Sequence, residues 1–204
     1  ADIALRDVQK ATVAFKKRYQ WVPKKVEVKL YHQQEVFRQS VKPSLPAWAG
    51  GWHESKQAIK FIGGMIEDSA FSQGIVHELT HQMVSELTND NAAYWLQEGA
   101  AMYYERHLLG HPVEVPRGKF LLTLSQLEKV NLEALPDKEA NLYYISCYYI
   151  FKTLVEKYGE EKVVKMLSTL RMYPEVDLES VQKMEIVNYR TKKVMQKQFG
   201  TGRI

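Results

Sequence analysis

Two histidines four residues apart are the first feature of this 204-residue chain that could do chemistry. They stand in His77-Glu78-Leu79-Thr80-His81, within a stretch from about Ser69 to Leu87 that Ser69 or Ser72 can cap. There Ile75, Val76, Leu79, Met83, Val84 and Leu87 recur at helical spacing. On a helix, residues four apart are separated by about 40° around the axis and about 6 Å along it. Both imidazoles can then meet one zinc ion at about 2.0–2.1 Å. Glu78 sits beside that face, within reach of a water on the ion but not of the ion itself. Chance alone yields this pattern in roughly one or two chains per hundred of this composition. A third ligand is needed to distinguish a metal helix from a helix with two surface histidines.

Glu98 is that candidate. It lies in Trp95-Leu96-Gln97-Glu98-Gly99-Ala100-Ala101, on a second helical stretch from roughly Asn91 to Leu109 that stops at Gly110, with Pro112 beyond. A carboxylate on so apolar a stretch is costly to bury unless it meets a cation. Gly99 and the two alanines leave room for close helix packing, which would bring Glu98 to the metal. Two histidines and one carboxylate leave a fourth position open, as catalytic zinc sites require.

With those residues in view, the pair HELTH and WLQEGAAMYYE resembles the gluzincin metallopeptidases. It is similar to the aminopeptidase N pattern and, more closely, to the bacterial peptidase-MA-like proteins. Pro46-Ala47-Trp48-Ala49-Gly50-Gly51 before a strand looks like that second family too. So does Tyr143-Tyr144-Ile145-Ser146, opening a helix that ends in Lys157-Tyr158-Gly159. The likeness covers about residues 25–200 and is most specific between His77 and Glu105. It implies a zinc peptidase in which His77, His81 and Glu98 hold Zn2+ and Glu78 is the general base. It also implies a tyrosine at Tyr143 that stabilises the transition state, with Tyr144 and Tyr148 as competitors and a packed aromatic as the plainer alternative. The chain departs from the pattern in three places. Sixteen residues separate His81 from Glu98, fewer than in the aminopeptidases. No Gly-Ala-Met-Glu-Asn segment grips a substrate amino terminus, which argues for endopeptidase action. Met102 stands where thermolysin-like enzymes carry an Asp that supports a ligand, leaving Asp90, Asn91 and Glu105 as candidates for that supporting role.

The elements that must position these residues form an α+β chain. Residues 3–19 read as a helix, 26–31 as a strand, 33–40 as a short helix and 42–52 as a loop. Ala58 to Ile62 alternates as a second strand, ending at Gly63-Gly64, and Gln57 to Phe61 is a candidate edge for pairing an extended substrate, or an ordinary sheet strand. Residues 116–136 are mixed, and helices follow over 141–158, 160–172 and 178–199. The expectation is one gluzincin-like domain over 1–204. Its strand-bearing part, 1–66, would be a small N-terminal mixed sheet packed on a mainly helical zincin-like catalytic part, 67–204.

Composition narrows the function classes. No apolar run approaches the ~20 residues that span a bilayer. Cys147, the one cysteine, lies among apolar residues and reads as a buried, inert thiol. His32, His53, His107 and His111 read as surface or capping groups. Val84 and Leu87 stand where a metzincin would carry its glycine and third histidine. The net charge of +4 is uneven, with basic ends around an acidic middle. Such ends suit contact with an anionic cell surface; no nucleic-acid motif accompanies them. Ala1 is of the small type that follows a signal-peptide cleavage site, and equally of a type with which a shortened chain can begin. The expected setting is extracytoplasmic, secreted or at a cell surface. The partner expected is a peptide or protein substrate. The competing readings are a binding or regulatory module that keeps a zinc-site shape, and a zinc hydrolase acting on a non-peptide bond.

Overall fold

The computed structural model describes residues 2–42, 44–63, 68–108, 121–177 and 180–200. The elements run α1 (Asp2–Tyr19), β1 (Val28–Tyr31), α2 (Gln34–Val41), β2 (Gly51–Glu54), β3 (Ala58–Ile62) and α3 (Asp68–Thr88). After these come α4 (Tyr94–His107), a short α5 (Leu124–Leu127), a 3-10 turn (Leu132–Ala134), α6 (Asp137–Tyr158), α7 (Glu160–Leu170) and α8 (Ser180–Phe199). This is the α+β arrangement expected, a three-stranded sheet followed by helices.

The sheet corrects the sequence reading in two respects. Its order is β1-β3-β2, with β1 parallel and β2 antiparallel to β3. β2 lies partly in the segment read as a loop, because Gly50-Gly51 hides the alternation that marks a strand. Gln57 to Phe61 is not an edge, since β3 is paired on both sides. The edge is β2. Ile62 N–H donates to Gly50 O at 2.9 Å, and antiparallel pairing alternates. The backbone groups of Gly51 and His53 therefore point away from β3.

α3 crosses the sheet closely. A Cβ on Gly74 would fall within 2.5 Å of Phe61 Cε2, so only glycine lets the helix approach β3 there. Ile75, Val76, Leu79, Met83 and Val84 are fully buried on α3. The largest core cluster joins Val76, Leu79, Met83 and Val84 to Phe15 of α1, Trp95 and Leu96 of α4, Phe151 and Leu154 of α6, and Leu167 of α7, while Ile75 packs with Ala4, Phe61 and Phe71. The helix starts at Asp68, so Ser69 and Ser72 lie inside it, and Ser72 accepts from Arg6 at 3.4 Å rather than capping.

The turn from α3 to α4 sets the angle between the two helices. Asn89 and Asp90 both adopt left-handed backbone, φ 54 and φ 57, a conformation Asn and Asp tolerate better than other side chains. Asn91 is buried below them. Its Nδ2 donates to Asn89 O at 2.9 Å and to Tyr173 O at 3.0 Å, while its Oδ1 accepts from Arg190. α4 starts at Tyr94 rather than Asn91 and runs to His107; its expected stop at Gly110, and Pro112, lie outside the described residues. α6 starts one turn earlier than Asn141, after Pro136, with Asp137 and Glu139 in its first turn where the helix dipole favours them. Gly159, at φ 85, ends α6 and opens α7.

Candidate metal centre

α3 presents His77 and His81 on one face, and α4 brings Glu98 against them. The two Nε2 atoms stand 3.1 Å apart. Glu98 Oε2 lies 3.3 Å from His77 Nε2 and 3.5 Å from His81 Nε2. Ligands placed tetrahedrally at about 2.0–2.1 Å from an ion are about 3.3–3.4 Å from one another, so this triangle has the size of a tetrahedral face. Among the described residues these three are the one cluster of metal-type donors brought together.

The donor chemistry agrees. His77 Nδ1 lies 2.7 Å from Glu105 Oε2. A carboxylate there accepts a hydrogen bond from Nδ1–H, the tautomer that leaves Nε2 as a lone pair aimed at the triangle. Glu98 Oε2 is buried and makes no hydrogen bond. Lone pairs converging in a buried place call for a cation or a proton between them. Without a metal ion, burial works against charge on His77. Glu105 and Glu98 outweigh it and hold the imidazole pKa well above its usual value. Burial alone would raise Glu98; the His81 and His77 rings outweigh that and hold it well below the carboxylate range. Glu78 is also buried, and desolvation raises its pKa despite the nearby imidazoles.

Residues 8–187 match the family model of the peptidase MA superfamily. The chain belongs to that superfamily. Curated proteins and solved structures searched with it yield no match. Membership places the protein among zincin-like metallopeptidases, and the His77, His81 and Glu98 cluster is where a metal would sit in this member.

The rest of this peptidase MA centre differs in part from the sequence reading. Of the three candidate supporting residues, Glu105 contacts His77. Asp90 and Asn91 hold the α3–α4 turn: Asp90 accepts from Ser55 at 2.7 Å and from Ser85, and Asn91 from Arg190. Glu105 is seven residues after Glu98, two helical turns, so both carboxylates share one face of α4. That spacing was a signal available in the sequence. Arg106 pairs with Glu105 Oε1 and holds it in place.

Gly99 lets α4 close on α6 rather than on α3. A Cβ there would stand 2.6 Å from Cys147 O and 2.9 Å from Phe151 Cβ. α6 in turn delivers its tyrosines. Tyr143 is 1% exposed and belongs to the main core, the packed-aromatic alternative to a place in the cleft. Tyr144, about 100° further round the helix, turns its ring edge to His77 at 6.3 Å between centroids and to Trp48 at 6.0 Å. Burial raises the Tyr144 phenol pKa, and Glu98, Glu78 and Glu105 raise it further. Tyr148 packs with Met102 and Tyr103 and faces His107. Cys147 is buried, as expected.

Two residues were not foreseen at the site. Gly51 on β2 abuts Glu78: a Cβ there would strike Glu78 Oε1 and lie 2.8 Å from Phe61 Cδ2. His53, expected at the surface, is half-buried on β2. Burial, with the His81 charge, pushes its pKa down to about 4. His32 is exposed, His107 is half-buried against Tyr103, and His111 lies outside the described residues.

Proposed function

We propose that the protein is a zinc-dependent endopeptidase of the gluzincin type, with Zn2+ held by His77 Nε2, His81 Nε2 and Glu98 Oε2. The observation that carries this is the triangle of lone-pair donors at 3.1, 3.3 and 3.5 Å, one corner of it a buried carboxylate oxygen without a hydrogen bond. Zinc in that place supplies Lewis acidity, which polarises a carbonyl and acidifies a water.

The chain's own groups do the rest. β2 offers the outward backbone of Gly51 and His53 to an extended peptide, which adds as a further strand. The absence of a side chain on Gly51 brings that peptide's backbone close to Glu78. Glu78, its pKa raised by burial, takes a proton from the attacking water and returns it to the leaving amine. Tyr144 takes the role first assigned to Tyr143: its phenol, beside His77, donates to the developing oxyanion.

The test is metal content and cleavage of a mixed peptide library by zinc-loaded wild type and Glu78→Gln. The expected result is one zinc per chain in both, and at least about a 10²-fold loss of cleavage in the variant. Equal cleavage removes Glu78 as base. Zinc bound with no cleavage by wild type favours the non-catalytic binding module.

A further inference from the structure

A second feature lies beside the metal cluster and takes no part in holding it. A cavity of about 660 Å³ opens on the His81 side of the centre, lined among others by His53, Glu54, Gln82, Ser85 and Asp90. That size is ordinary for a side-chain or small-ligand pocket. Its position follows from two elements. Gln82 follows His81 directly on α3, and Ser85 comes one turn after it. On β2, His53 shares a face with Gly51 and lies about 7 Å further along the strand. Gly51 marks the Glu78 carboxylate. A peptide paired along β2 therefore delivers its next side chain into this cavity.

Three carboxylates line the cavity: Glu54 pairs with Lys60, the exposed Glu86 accepts from Trp21 and Gln82, and Asp90 is held by hydroxyls alone. Asp90 accepts from Ser55 Oγ at 2.7 Å and from Ser85 Oγ, so two hydroxyls fix its direction. Among the described residues no cation forms an ion pair with it. The cations of the lining stand at the exposed rim, and two are already engaged: Lys25 with Glu27 and Lys56 with Glu175. Lys24 and Arg171 are exposed to water, where screening leaves them little hold on a group bound inside. Trp21, its Nε1 donating to Glu86 Oε2 at 2.7 Å, supplies an apolar wall for a long side-chain stem.

We propose that this cavity is the side-chain subsite next to the bond that is cut, and that it takes the cationic side chain of a lysine or arginine on the Asp90 carboxylate. As a cleavage preference this rests on the peptidase reading above; as a binding site it does not.

Two measurements separate those claims. The first is calorimetric binding of Nα-acetyl-arginine amide and of its neutral citrulline counterpart to the zinc-loaded protein. Wild type should bind the arginine compound about tenfold or more tightly than the citrulline one, the scale of a hydrogen bond to a charged group, and Asp90→Asn should abolish the difference. Asn keeps a hydrogen-bonding side chain and tolerates left-handed backbone. The exposed Gln57→Lys, which adds a cation to the lining without touching the core, should weaken arginine binding even if Asp90→Asn proves unstable. The second is sequencing of cleavage products from a peptide library, where wild type should cut beside lysine and arginine by a similar margin and Asp90→Asn should lose that margin. Equal binding of the arginine and citrulline compounds by wild type overturns the proposal. So does cleavage with no basic preference, which leaves the peptidase reading intact. Asp90-dependent arginine binding with no cleavage at all upholds the site and sinks the peptidase reading instead.

Discussion

At the residue scale the centre depends on which nitrogen of His77 is free. Glu105 holds the Nδ1 proton, and such supporting carboxylates are worth about 10- to 100-fold in metal affinity. Glu105→Gln should weaken zinc binding about tenfold and Glu105→Ala by up to about 100-fold, read by competition with a chelating dye. The same carboxylate raises the His77 pKa, and zinc must displace that proton. Zinc occupancy should therefore fall as pH drops through the raised His77 value, and Glu105→Gln should move the midpoint to lower pH. In the metal-free protein the sign is reversed. Protonated His77 contributes stability fully below its unfolded pKa of about 6.5, and that contribution is lost as pH rises through the higher folded value. The oxyanion donor is also decided by single residues. Tyr144→Phe should lower kcat by on the order of 10- to 1,000-fold with KM little changed, whereas Tyr143→Phe should act on thermal stability and leave the rate near wild type. The reverse pattern would return the role to Tyr143.

At the element scale, Glu98 reaches the histidines because α4 is held between α3 and α6. Gly99 lies at a close approach in the second contact, where a Cβ would stand 2.6 Å from Cys147 O. In Gly99→Ala the new methyl meets Cys147 O and Phe151 Cβ, and neither is the mobile end of a side chain. α4 must then shift away from α6, and Glu98, one residue earlier, shifts with it. Overpacking of this kind costs about 1–3 kcal/mol, measurable by urea unfolding. Zinc affinity should fall together with stability. A variant with wild-type stability and affinity would show that the two helices have slack at this point.

At the scale of the whole molecule, the metal would join parts of the chain that the hydrophobic core already brings together. Its ligands come from α3 and α4, linked by the Asn89-Asp90 turn and packed in one core with α1, α6 and α7. Zinc would then add to a fold that the core already assembles, unlike small domains that unfold when stripped of metal. Chelation should leave the far-UV circular dichroism close to that of the loaded protein. Relative to free zinc held 100-fold above Kd, it should remove about 2.7 kcal/mol of stability and lower Tm by about 5–10 °C. Loss of helical signal on chelation would mean that the ion, rather than the core, assembles α3 and α4.

What the sequence determined by itself was local. His77, Glu78 and His81 share a helix whose period is visible in the apolar residues around them, and Glu98 is conspicuous as a carboxylate among tryptophan, leucine and alanine. Short-range periodicity orients such groups before any packing is known. Glu105 was within reach for the same reason, two full turns after Glu98, but charged residues at a helix end are usually solvated and nothing local distinguishes this one. Tertiary structure decided the rest. Tyr143 and Tyr144 are adjacent on a helix that is apolar over much of its surface, and which of them meets His77 depends on how α6 rotates against α4. That rotation is set by Gly99 and by Cys147 and Phe151 opposite it. The edge role of β2 arises from pairing between segments distant from the metal motif, and a glycine at its start removes the alternation that would have revealed it. His53 and Asp90 carry no pattern at all. They meet across one cavity because β2 crosses α3 and because a left-handed turn ends that helix, two contacts that exist only once the chain has folded.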